Sequence, residues 1–128
     1  MATNQEGRQI EIANELGEAV RTLAHSTRTI PKPSDSYELL GALVAAQEAL
    51  AQVYAQVSLW HDKAVAGTHY NGVDGIHSDT TAPDHVAQLL AGAAASATRA
   101  ANQVSEAHSV NGAIRWFYAV KTEEDARP

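Results

Sequence analysis

From Leu39 onward an apolar stripe recurs at alternating steps of four and three: Leu39, Leu43, Ala46, Leu50, Val53, Val57, Trp60 and Ala64. Sustained over about seven turns, that spacing keeps one edge of an α-helix away from water and obliges it to find helical partners along its length. A second stripe repeats the pattern with smaller residues: Val86, Leu90, Ala93, Ala97, Ala100, Val104 and Ala107. Two long matched stripes separated by a loop predict an antiparallel helical hairpin. The second helix also carries Leu40, Val44 and Tyr54 beside its stripe, an arc wide enough for two or more neighbours.

The punctuation agrees with helices. Thr3-Asn4-Gln5-Glu6 has capping-box spacing, so a first helix is expected from there to about Ala24, with Ile12, Leu16, Ala19 and Leu23 on its inner face. Gly7 and Gly17 each weaken it by roughly 1 kcal/mol relative to alanine, and its first turn is expected to fray. His25 and Arg28 suit its C-terminus, where cations meet the negative end of the helix dipole. Pro31 and Pro33 then force extended backbone on the residues before them. Ser34 or Asp35 is placed to cap the second helix, with Glu38 three residues after Asp35, and Gly67 to end it after about Ala66. Residues Gly67 to Ala82 read as a long polar loop with turn dipeptides at Asn71-Gly72 and Asp74-Gly75. Pro83 and Asp84 open the third helix, expected to run to about Ser109, before a break at Asn111-Gly112. Ala113 to Val120 is ambiguous between strand and helix; in a helical chain it reads as a short docking helix. Residues 1–8 and 121–128 read as flexible tails. The expected architecture is all-α: the hairpin, a shorter N-terminal helix alongside it and a short C-terminal helix, a three- to four-helix bundle in a single domain of 128 residues.

Composition narrows the function classes. Alanine makes up roughly a fifth of the chain, which implies closely approaching helices. No cysteine is present, so disulfides and thiolate sites are excluded. Net charge is −6, and Arg8, Arg21, Arg28, Lys32, Lys63, Arg99, Arg115, Lys121 and Arg127 form no basic stripe; nucleic acid is not the expected partner. No apolar run approaches a membrane span, and Met1 to Gln9 lacks the apolar stretch of a signal peptide, so the expected location is the cytoplasm.

Three constellations carry candidate chemistry. The loop and its borders hold His61, His69, His77 and His85 with Asp74, Asp79 and Asp84. Imidazole and carboxylate together suit Zn²⁺ or another divalent ion, with His61, Asp62, His69, Asp74 and His77 as the candidate ligands. A loop has no fixed period, however, and no H-x-x-x-H pair sets two imidazoles on one helix face. His61-Asp62, with His25 upstream, resembles the His and His-Asp ligands of the all-helical HD phosphohydrolases, which implies a metal-dependent hydrolase. That family adds a later Asp, and here the only one past Asp84 is Asp125 in the tail. Glu15 and Glu18, with Glu11 one turn before Glu15, give E-x-x-E spacing that resembles that of the all-helical nucleotide pyrophosphohydrolases. The second helix offers only Glu38 and Glu48, too far apart to complete such a cage. A solvated face with Glu18 paired to Arg21 accounts for them as well. No nucleophile elbow and no Gly-rich phosphate loop occurs.

The sequence therefore favours a non-enzymatic helical interaction module that self-associates as a homodimer or other homo-oligomer, without a cofactor. Trp116, Phe117 and Tyr118 cannot all face one way in a helix, which makes them candidate interface anchors; the alternative is that the segment wraps across the end of the bundle and buries all three. The alternative is the metal-dependent hydrolase with its His/Asp site at the mouth of the bundle.

Overall fold

A computed structural model describes residues 5–63 and 81–116. Every regular element among them is helical: a 3₁₀ turn at Glu6–Arg8, α1 at Gln9–Ser26, α2 at Asp35–Asp62 and α3 at Thr81–Asn111. The chain divides into two units, the first ending at Asp35 and the second beginning at Ser36.

The first unit is built around α1. The expected fraying takes a definite form, because Gly7 lies in the 3₁₀ turn and the α-helix starts only at Gln9. Neither Gln5 nor Arg8 caps a helix with its side chain. Arg8 instead spans the first turns, donating from Nε to Glu11 at 2.9 Å and from Nη2 to Glu15 at 2.9 Å. Its other terminal nitrogen donates to Gln5 Oε1. The predicted Glu18–Arg21 pair is present at 2.8 Å. At the other end α1 runs two residues past Ala24. The Thr27 hydroxyl and amide both donate to the Leu23 carbonyl at 2.9 Å, and Arg28 Nε donates to His25 O at 3.1 Å. These bonds satisfy carbonyls that the helix end would otherwise leave bare. Ile12, Leu16 and Val20 on α1 all keep substantial exposure.

The second unit is the hairpin. Helix α2 opens directly after Ser34 and stops at Asp62, four residues before the expected Ala66; the expected stop at Gly67 lies outside the described residues. Helix α3 begins at Thr81 and runs two residues beyond Ser109. The Asn111-Gly112 break is where expected, with the Gly112 amide donating to His108 O at 3.1 Å and Ala113 to Val110 O at 3.0 Å. By the usual rise per residue both helices exceed about 40 Å. The expected docking helix at 113–120 does not begin on schedule: 112–113 form a turn and 114–116 have no regular structure. Its remainder, the 67–80 part of the loop and the 121–128 tail lie outside the described residues.

The two helices are antiparallel, with Tyr37 and Gly41 of α2 beside His108 of α3 and Gly112 just past its end, and Ser58 beside Ala87. Along α3 the covered line is Pro83, Ala87, Leu90, Ala94, Ala97, Ala101, Val104, His108 and Asn111, in steps of four and three throughout. It shares Leu90, Ala97 and Val104 with the stripe read from sequence; Ala93 and Ala100 of that stripe are also half-buried, whereas Val86 and Ala107 are exposed. On α2 the correction is larger. The side turned to α3 carries Tyr37, Gly41, Val44, Ala51, Tyr54 and Ser58 rather than the Leu39–Trp60 stripe.

Small residues explain the choice. The buried centre of α3 is alanine, with Ala101 only 3% exposed, so the two backbones approach closely. The Ser58 hydroxyl reaches the Ala87 carbonyl at 2.6 Å. A Cβ on Gly41 would stand 3.2 Å from His108 Nε2. The leucines of the expected stripe would hold the axes further apart and forfeit these contacts.

Candidate functional site

The rotation of α2 turns its aliphatic stripe, together with Trp60, away from the line that meets α3. Leu39, Leu43 and Leu50 are half-buried, while Ala46, Val53, Val57 and Trp60 are exposed, Val53 to 49% and Trp60 to 58%. At 3.6 residues per turn this stripe stands about a third of a turn from the line that meets α3. The same count places Val86, Leu89, Ala93 and Ala100 of α3 on that side of the hairpin. Val86 and Leu89 are also exposed. The result is one continuous apolar face along both helices.

The face is uncharged. Between Leu39 and Trp60 the one charged residue is Glu48, which the helical count places on the opposite side of α2. Between Val86 and Ala107 the charged residues are Arg99 and Glu106, both well away from the face by the same count. A chain of net charge −6 thus keeps its carboxylates off this apolar surface. Contiguous exposed apolar surface of this kind marks interaction sites, whereas scattered apolar residues are ordinary.

The opposite side of the hairpin holds an open groove of ≈ 540 Å³ lined by Ala55, Ser58, Leu59, Asp62, Gln88 and Ala91 among others. Asp62, a candidate ligand, opens onto this groove. The adjacent His61 turns back on its own helix. Its Nδ1 lies 2.9 Å from Val57 O, and a carbonyl only accepts, so Nδ1 carries the proton. The His61 ring also meets the edge of Trp60, centroids 4.9 Å apart. Among the described residues no three His, Cys, Asp or Glu side chains gather to hold a metal ion. His69, Asp74, His77 and Asp79 lie outside the described residues, as do the interface candidates Phe117 and Tyr118; Trp116 is exposed.

The sequence reading passed over one cluster, at the end of the hairpin opposite its connecting loop. Tyr37 and His108 stack with ring centroids 4.1 Å apart. Asn111 Nδ2 donates to Ser36 Oγ at 3.0 Å, while Asn111 Oδ1 is buried with no hydrogen-bond partner. Its residues lie more than 70 positions apart along the chain, so no local spacing announces it. Stacked rings and an amide pinned to a serine fix the register of the two helices there.

Among the described residues, the pKa of Arg8 is shifted. The Arg8 guanidinium is raised above its ordinary value, chiefly by its hydrogen bond to Glu11 and further by Glu15. Its contribution is fully present below the ordinary arginine range and is lost only as pH climbs above that range. Arg8 is therefore no switch at physiological pH.

Among the described residues no helix is long and apolar enough to cross a membrane. No family model, no curated protein and no solved structure matches this chain.

Proposed function

We propose that this chain is a helical interaction module that works through the apolar face of its hairpin and associates with its own kind. One observation carries the reading: the large aliphatic stripe of α2 stands outside the α2–α3 contact while alanines fill the inside. A buried alanine side chain contributes on the order of 0.8 kcal/mol per methyl group, so the hairpin contact is held by thin packing and by length. Covering the outer face adds the burial that the inner seam lacks. The exposed Trp116 beyond the end of α3 serves as a flanking anchor. This role needs neither a cofactor nor a catalytic set.

The test is sedimentation velocity over roughly 1–200 µM, comparing the unaltered chain with Val57→Glu on the face and Val110→Glu off it. Concentration-dependent association that Val57→Glu abolishes and Val110→Glu leaves intact supports the reading. Association indifferent to Val57→Glu would move the interaction surface elsewhere and end it. The metal-dependent hydrolase reading is tested separately, by elemental analysis of untagged protein for stoichiometric Zn, Mn or Fe.

A further inference from the structure

We infer that the occupant of the apolar face is a second copy of the chain, related by a two-fold axis through Leu50, with α2 of one copy antiparallel to α2 of the other. The inference rests on the interaction-module reading and deepens it by naming the partner and its register.

Three features point to a second copy. The first is register. The stripe steps are four, three, four, three, four and three from Leu39 to Trp60, so reversing the helix about Leu50 lays stripe on stripe. Leu43 then faces Val57 of the partner subunit, Ala46 comes beside Val53 of the partner subunit, and Leu39 comes beside Trp60 of the partner subunit. The smallest residue of the stripe meets a valine near the axis, and the largest lies at the rim. A two-fold interface requires such self-complementarity, because one patch serves both sides.

The second feature is charge. Across a two-fold axis a charged residue near the centre meets its own copy at short range. The face carries no charge between Leu39 and Trp60, so two copies of a −6 chain approach without opposing carboxylates at the contact. The same lack leaves an oppositely charged partner nothing to recognise.

The third is size. From Leu39 to Trp60 the face is about 33 Å long, and two adjacent helices make it about 20 Å wide. That flat footprint is on the order of 650 Å², and side-chain relief raises the accessible area further. It matches the roughly 800 Å² per partner of a standard stable interface. Two hairpins so joined form a four-helix assembly with the α2 stripes at its centre.

The absence of cysteine makes the register directly testable in the full chain. Single variants Leu43→Cys, Leu50→Cys, Val57→Cys and the off-face control Val110→Cys are oxidised in a glutathione buffer and resolved on non-reducing gels. Leu50→Cys, on the axis, is expected to cross-link to its own copy. Leu43→Cys and Val57→Cys alone are expected not to, because copies of residue 43 lie about 21 Å apart along α2. Mixed together, these two are expected to cross-link, and Val110→Cys is expected to stay monomeric. Equal self-linking by Leu43→Cys, Leu50→Cys and Val57→Cys would establish a parallel pairing and overturn the inference.

Sedimentation equilibrium of the unaltered chain guards against variants that misfold. A single species of 13.6 kDa at about 100 µM would overturn the homodimer. In that event the self-association in the proposed function falls as well, and a monomer whose binding of a hydrophobic dye falls with Val57→Glu would keep only the apolar face as an interaction surface, for another occupant. A monomer whose dye binding is unchanged would end both.

Discussion

Replacing Gly92 and Gly41 by alanine separates helix propensity from helix contact in this hairpin. Both glycines sit inside long helices, so each substitution gains the same intrinsic preference, about 1 kcal/mol. At Gly92 a Cβ meets nothing within 4 Å, and that gain is expected in full. For a cooperative unit of this size it corresponds to a rise in Tm of about 4–8 °C. At Gly41 the new methyl stands 3.2 Å from His108 Nε2 and 3.7 Å from two ring carbons. His108 must withdraw, and its ring is stacked on Tyr37 at 4.1 Å. Loosening an aromatic pair costs about 0.5–1.5 kcal/mol, the size of the propensity gain, so Gly41→Ala is expected to be close to neutral. The deciding measurement is a double-mutant cycle by urea denaturation, followed by circular dichroism at fixed protein concentration so that association does not confound it. In a His108→Ala background, Gly41→Ala should recover the full ~1 kcal/mol. If Gly41→Ala stabilises the unaltered chain as much as Gly92→Ala does, His108 does not crowd Gly41 and the close approach of α2 and α3 is refuted.

Other substitutions probe the same contact. Ala101→Leu inserts three carbons where the side chain is 3% exposed and is expected to destabilise by about 1–3 kcal/mol, read from the urea midpoint. Ser58→Ala removes the 2.6 Å bond to the Ala87 carbonyl and is expected to cost about 1 kcal/mol in the same assay. Asn111→Ala gives up the Ser36 bond but also removes a buried acceptor with no partner, so thermal melts are expected to move by no more than a few degrees. Arg8→Ala breaks two exposed ion pairs and is expected to leave the urea midpoint nearly unchanged, with any difference shrinking as salt is added.

Much of the helical framework was legible in the chain because its signals are local. Steps of four and three announce long rods at α2 and α3, Asn111-Gly112 marks the end of α3, and Glu18 three residues before Arg21 foretells their ion pair. Boundaries were less legible, since Thr27 and Arg28 extend the end of α1 through bonds that only the folded backbone offers. The candidate ligands His61 and Asp62 were visible as residue types, but the orientation of the His61 ring, turned onto the Val57 carbonyl, was not.

What tertiary structure alone decided is which face of α2 meets α3. Periodicity shows that an edge must leave water, yet it is silent on what covers that edge. The arc of α2 was wide enough for two neighbours, and α3 took the side with Gly41, Ala51 and Ser58. Alanine and glycine let backbones come close, and close backbones gain dispersion contacts and the Ser58–Ala87 hydrogen bond. The leucine and valine stripe was left outside, and the candidate function of the chain rests on that surface.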